Sequence, residues 1–224
     1  MAAIDVVSIK LLRGKTNAGM LDCRKALSEA EGDTALAESL LKEWGLAGVE
    51  KRHDRATNEG RVFVSEGLSS AAMAEISCET DFVVRNELFA AAGERIAEIA
   101  CRNGLCAPTP ELERIVAELA SVIKENINLG RVAFMKAAPG ERIAAYVHGG
   151  KIGALVLAKA AESDAAFLHD LALHVAAFNP LFLDEAAVPA GYRDERMADY
   201  RKELEEDENL RGKPAAMLEG IVAG

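Results

Sequence analysis

Apolar residues recur at every third or fourth position near the start of the chain, which is the spacing of one helix face. Ile4, Val7 and Leu11 follow this pattern, and the polar segment at residues 17–19 interrupts it. The periodic pattern resumes near Met20. The sequence therefore predicts two short helices in the first thirty or so positions.

A third helix is expected after Asp33, whose side chain is placed to cap its first turn. Gly45 is the expected end of this helix. Its expected buried residues are Leu36, Leu40, Leu41 and Trp44. Residues 1–45 are thus predicted to form a three-helix bundle, of a size typical of docking modules, and residues 46–60 a polar linker.

Residues 61–139 begin with the alternating pattern of a β-hairpin. Val62 and Val64 alternate with positions expected to be exposed, and residues 67–70 read as a turn. The apolar positions of the return strand are Ala72, Ala74, Ile76 and Cys78. The hairpin predicts a small antiparallel sheet.

Two helices are expected after the hairpin. The first covers about residues 86–102, and the second begins at Thr109 as cap, with Pro110 in its first turn, and continues toward Asn128. These helices complete a first α+β half.

The same order of elements occurs again in residues 140–190. Gly149-Gly150 separates two apolar runs, which is a strong hairpin signal, and a helix with Phe167, Leu171 and Val175 on one face follows. We therefore expect an α+β fold: a helical bundle and then a core of two related α+β halves with small antiparallel sheets. Residues 191–224 are predicted to form a shortened, charged helical hairpin.

Composition and charge exclude some classes of function. The chain has 224 residues and a formal net charge of -10, which argues against a nucleic-acid surface because phosphate binding needs a basic face. No secretory signal and no apolar run of about 18 residues is visible, so we expect a cytoplasmic protein without membrane contact.

Candidate reactive groups do not converge. Cys78 lies on the apolar face of a predicted strand, and His169 and His174 lie five positions apart on a helix, where they do not share a face. The four cysteines lack zinc-site spacing, and no phosphate-binding loop is present. The sequence predicts neither an enzyme, nor a metal site, nor a cofactor.

Residues 80–89 lie between a predicted strand and a predicted helix, and they begin with the polar pair Thr80 and Asp81 followed by Phe82 and Val83. A polar and then aromatic tip at such a junction is well placed to enter a partner. Asp81 acting as a helix cap and Phe82 turned into the core are the alternatives that these residues leave open.

Several separated stretches resemble the bacterial translation elongation factor Ts family, and the resemblance covers about residues 4–220 in order. The stretches are residues 16–27, Cys78-Glu79-Thr80-Asp81-Phe82-Val83, Lys124-Glu125-Asn126-Ile127-Asn128, Tyr146-Val147-His148-Gly149-Gly150-Lys151-Ile152-Gly153 and His174-Val175-Ala176-Ala177 with Pro180. The resemblance implies that the N-terminal bundle is similar to ubiquitin-associated domains.

It further implies a guanine-nucleotide exchange factor that binds the GTPase elongation factor Tu in its GDP form and disturbs its magnesium site. Residues 80–83 match the segment that acts on the magnesium site, and Arg24 and His148 match two further partner-binding positions. A binding adaptor with weak or lost exchange activity is the alternative.

The chain departs from the family pattern at its C-terminal end, where the hairpin is short and the later strand and module are absent. The second half of the core is therefore expected to lack a strand and to leave an edge unpaired. A homodimer that covers this edge is one expectation, and a charged helix folding back over it is the other.

Overall fold

The computed structural model describes residues 5–206 together with Met217 and Gly220. It contains two compact units, residues 1–178 and 179–224. Within the described residues, five strands and several helices make an α+β protein with two small antiparallel sheets, as the sequence predicts. Of the predicted C-terminal hairpin, residues 207–216, 218–219 and 221–224 lie outside the described part of the chain.

Three helices form the N-terminal region, α1 (Val6–Thr16), α2 (Met20–Glu29) and α3 (Thr34–Glu50). Asp5 caps α1, and Asp33 caps α3 by accepting hydrogen bonds from the amides of Ala35 and Leu36. A separate small core lies between the helices. It consists of Ile9, Leu12, Cys23, Ala26, Leu27, Ala30 and Ala37, with Ala18, Leu40, Leu41 and Trp44 packed against it.

Two expectations about α3 were wrong. The helix does not end at Gly45 but continues to Glu50, so the predicted boundary at residue 45 falls inside it. Its buried face contains Ala37 and not the expected Leu36. Positions 37, 40, 41 and 44 share one side of the helix, and Leu36 points to solvent. At Gly45 the helix lies close to Ser121, in a helix of the following core.

The first half of the core is a three-stranded sheet in the order β1-β2-β3, covered on one face by helices. Its elements are β1 (Glu59–Glu66), β2 (Ser70–Cys78), α4 (Asp81–Val84), α5 (Glu87–Asn103), α6 (Pro110–Ile123) and β3 (Ile127–Lys136). Thr109 caps α6 as expected, accepting from the amide of Leu112.

The strand β3 was not predicted. The apolar period of α6 was followed as far as Asn128, but the helix ends at Ile123 because Lys124 takes up the left-handed conformation, with φ of 66°. β3 then pairs with β2 in antiparallel register, with a bulge between Ala74 and Ile76.

Phe63 faces the helices, so the prediction that it is exposed while Val62 and Val64 are buried was wrong. Its ring lies 5.8 Å from that of Phe89, centroid to centroid, within the main core. Val62 instead lies on the opposite face of the sheet, which is covered by the second half of the core. The strand therefore packs on both sides.

The second half consists of β4 (Glu141–His148), β5 (Ile152–Lys159), a 3₁₀ turn (Glu162–Asp164) and α7 (Ala165–Phe178). Gly149 and Gly150 both have positive φ, which confirms the predicted tight turn. The buried face of α7 is formed by Leu168, Ala172 and Ala176. The expected face was one position out of register, and Phe167 is exposed.

The two halves pack through a glycine. A Cβ atom on Gly153 would lie 2.6 Å from the sulfur of Met73 and 2.9 Å from Cγ1 of Val62, so any larger residue here would force these side chains to shift. The amide of Val62 also donates to the carbonyl of Gly150 at 2.7 Å. Close backbone approach thus joins the second hairpin to the first sheet.

The second unit, described by itself, contains a 3₁₀ turn (Glu185–Ala187) and the charged helix α8 (Ala190–Glu206). Asp184 caps the turn, and Arg193 pairs with Glu185 at 2.8 Å. The ring of Phe182 packs edge-on against that of Tyr192. Within the described range, no helix combines the length and apolar content that crossing a bilayer requires.

Candidate functional site

The predicted tip, residues 80–83, lies between the end of β2 and the start of α5. α4 is a single helical turn, and Asn86 separates it from α5 by capping the longer helix at the amide of Leu88. The amide of Asn86 in turn donates to the carbonyl of Val83 at 2.9 Å. Hydrogen bonds therefore close both the end of α4 and the start of α5.

Phe82 and Val83 take opposite environments on this turn. The side chain of Phe82 is 79% exposed, whereas Val83 is 6% exposed and belongs to the main core. The sequence had left open whether Phe82 turns inward, and the structure places it outside. Val83 fixes the turn to the core, so its side chain is not free to contact a partner.

Asp81 occupies the first position of α4 and Thr80 the cap position, so Asp81 is not the cap. The Asp81 carboxylate forms an ion pair with Arg85 one turn later, at 3.0 Å. Both side chains are well exposed, and such a pair contributes little to stability. The carboxylate therefore remains available as an acceptor beside the aromatic ring.

Thr80 is held from the loop that connects α6 to β3. Its amide donates to Oε2 of Glu125 at 3.1 Å, and its hydroxyl donates to Oε1 at 2.7 Å. Its carbonyl accepts from the thiol of Cys78 at 3.3 Å. All three polar groups of Thr80 are thus satisfied within the protein.

Cys78 is a buried core thiol, as its place on the strand suggests. Burial raises the pKa of this thiol to about 11, and the negative charge of Glu125 acts in the same direction. The thiol therefore stays protonated at neutral pH and serves as a donor to Thr80.

Arg24 and His148 lie elsewhere. Arg24 is exposed on α2, and His148 is exposed at the end of β4, where its Nδ1 lies 3.0 Å from the hydroxyl of Tyr146. In the part of the chain that the structure describes, no hydrogen bond or ion pair connects either residue with the tip. They form separate points on the surface of the first unit.

Glu125 and Asn126 are the site residues that sequence reasoning missed. They lie in one of the stretches that resemble the elongation factor Ts family, but nothing in the sequence connects them with Thr80, 45 residues earlier. Among the described residues, no group of three or more His, Cys, Asp or Glu side chains could hold a metal ion. The site consists of an exposed aromatic ring, a neighbouring carboxylate and a hydrogen-bonded turn.

The fold and the site together define a class: an α+β protein with a helical N-terminal region and a short hydrogen-bonded turn that exposes Phe82. The family model for elongation factor Ts matches residues 79–224. This range includes the tip, strand β3 of the first sheet and both strands of the second sheet.

Curated relatives match over nearly the whole chain. Elongation factor Ts of Treponema denticola is 39% identical over 99% of this chain and 80% of its own length. Those of Borrelia garinii subsp. bavariensis and Pediococcus pentosaceus are 40% and 37% identical, over 100% of this chain and 82% and 78% of their own lengths. The chain belongs to the elongation factor Ts family, and it is a translation elongation factor.

Proposed function

We propose that this protein is a guanine-nucleotide exchange factor that binds elongation factor Tu in its GDP form and promotes release of GDP. The observation that carries the proposal is the exposure of Phe82 on a turn anchored by Val83 and Glu125. Membership of the elongation factor Ts family supplies the partner. The protein acts by binding, without catalytic groups of its own, and it does so in the cytoplasm.

The mechanism follows from how a GTPase holds its nucleotide. Backbone amides surround the phosphates, and a magnesium ion bridges phosphate oxygens to side chains. Magnesium requires near-octahedral geometry, so a shift of about an ångström in the ligating region weakens both metal and nucleotide. Insertion of Phe82, with Asp81 as a hydrogen-bond acceptor, supplies such a shift.

Linkage fixes the thermodynamics of exchange. Because the factor weakens the binding of nucleotide to the GTPase, nucleotide must weaken the binding of the factor to the same extent. The factor is therefore released when nucleotide rebinds. Arg24 on α2 and His148 on β4 provide further contacts to the GTPase, away from the tip.

Stopped-flow release of labelled GDP from elongation factor Tu, with and without the protein, tests the proposal. Acceleration that saturates with protein concentration is the expected result. Tight binding without acceleration would instead identify a binding adaptor. The separate core of the N-terminal helices is compatible with that second function, since a self-contained bundle is able to dock alone.

A further inference from the structure

Residues 124–126 form a short loop between α6 and β3 that is fixed on both sides. Lys124 ends α6 by donating its amide to the carbonyl of Ala120 at 3.0 Å, and its ammonium pairs with Asp22 on α2. Asn126 is 3% exposed and donates both side-chain hydrogens, to the carbonyls of His53 at 2.9 Å and Arg55 at 2.6 Å. Glu125 lies between two anchored neighbours.

The same loop is bonded to the residue before Thr80. The amide of Asn126 donates to Oε1 of Glu79 at 2.6 Å, and Arg55 reaches the same carboxylate at 3.4 Å. Glu79 and Glu125 therefore join the loop to the tip by bonds that run in opposite directions. One carboxylate accepts from the loop, and the other accepts from Thr80.

α4 needs this support because it cannot cap itself. A single turn has too few internal hydrogen bonds to persist alone. Thr80 occupies the cap position but makes no side-chain bond to the turn, since its hydroxyl is directed to Glu125. The start of the turn is thus fixed from outside, by one carboxylate that accepts two donors of a single residue.

We infer that Glu125 is a positioning residue for nucleotide exchange: it holds Thr80 so that Phe82 projects into the partner while Val83 stays buried. The inference rests on the proposed function. A tip that is already ordered loses less conformational entropy on insertion, so its binding energy is available to displace the nucleotide. Glu125 itself contacts no partner in this scheme.

The first test compares two substitutions in the GDP-release assay. Glu125→Ala removes both acceptors, and we expect exchange to slow by about tenfold, the cost of losing a charge-assisted hydrogen bond. Glu125→Gln should stay within about threefold, because its amide can accept from the Thr80 amide and donate to the Thr80 hydroxyl. Glu98→Ala, an exposed glutamate on α5, is the matched control and should behave as the wild type.

A double-mutant cycle then separates positioning from general stability. If Glu125 acts through the tip, Glu125→Ala should add almost nothing in the Phe82→Ala background. Full additivity of the two effects would overturn the inference. A normal exchange rate for Phe82→Ala alone would overturn the proposed function instead, which keeps the two failures distinguishable.

Amide hydrogen exchange of the free protein supplies a readout that does not depend on the partner. Glu125→Ala should speed exchange at the amide of Asn86, which donates to the carbonyl of Val83 at the end of α4, while leaving the amides of β2 and α6 at wild-type rates. Unchanged protection at Asn86 would overturn the inference. If Glu125→Ala fails to fold, Thr80→Val removes only the hydroxyl bond and carries the same expectations in smaller measure.

Discussion

Phe82 and Val83 are adjacent, yet one lies in solvent and the other in the core. An exposed aromatic ring is unfavourable for a protein alone and becomes favourable when a partner covers it. The residue that anchors the turn is the small aliphatic one, and the residue that projects is the large one. This division of roles gives the first prediction.

Phe82→Ala should slow GDP release by about one to two decades, because burial of a large aromatic is worth roughly 1.5–3 kcal/mol. The free energy of unfolding should change by less than about 0.5 kcal/mol, as for other exposed positions. Stopped-flow release and a urea melt measure the two effects. Phe167→Ala, an exposed aromatic on α7, is the control; a loss of several kcal/mol in Phe82→Ala would place the ring in the core.

Glu75 shows a second effect at this scale, where β2 meets β3 beside the bulge. Nε of Arg131 donates to Oε2 of Glu75 at 2.9 Å, and this hydrogen bond lowers the pKa of the Glu75 carboxyl. A lowered pKa in the folded state stabilises the protein at pH values above the pKa of the unfolded chain. That stabilisation is lost as the pH falls through the folded pKa.

Glu75→Gln should therefore lower the free energy of unfolding at pH 7, by less than about 1 kcal/mol because the pair is solvent-exposed. The difference from the wild type should disappear in acid. Urea unfolding at a series of pH values measures it, with Glu66→Gln on the exposed end of β1 as control. A difference that persists unchanged in acid would show that packing, not charge, is responsible.

Among the elements, the hairpins were predictable because their signals are local. Alternation over a few residues and a Gly-Gly turn identify β4 and β5, and Thr109 with Pro110 identifies the start of α6. The position of the tip between a strand and a helix was also predictable, whereas the exposure of Phe82 was left open by the sequence and comes from the structure. The sequence signal that predicts each of these features lies within about ten residues.

The missed features depend on contacts between distant segments. β3 follows α6 after a turn made by a left-handed lysine, a conformation that sequence does not signal for this residue type. α3 continues past Gly45 because its last turns pack against α6, which no local pattern reveals. Glu125 carries no local sign of its bond to Thr80.

Gly45 provides a prediction for the packing of α3 on α6. A Cβ atom there would lie 2.7 Å from Cβ of Ser121, so Gly45→Ala should cost about 1–3 kcal/mol of stability despite its better helix propensity. Gly14→Ala in α1 has open space and should instead stabilise by roughly 0.5–1 kcal/mol. Thermal unfolding measures both. Ser121→Gly should rescue the Gly45→Ala variant, and no rescue would contradict the steric reason.

For the whole molecule, the second sheet raises the question of assembly. It contains two strands among the described residues, and two strands with one covering helix are barely self-sufficient. An unpaired strand edge is normally covered.

We expect a symmetric dimer that covers this edge. Sedimentation at several protein concentrations should then show a mass that rises toward twice 23.9 kDa. A single monomeric species up to high micromolar concentration would remove the dimer and favour cover from within the chain.

The bonds around the tip also connect folding to recognition. Thr80 and Glu125 are 45 residues apart, and Asn126 and His53 are 73 residues apart. Such distant pairs form only after the intervening chain has been arranged, because large loops must close first. A chain that has formed its first hairpin but not yet β3 therefore contains Phe82 but lacks the Glu125–Thr80 hydrogen bonds that hold the tip. Binding to the partner therefore depends on completed folding, and an incompletely folded chain does not bind.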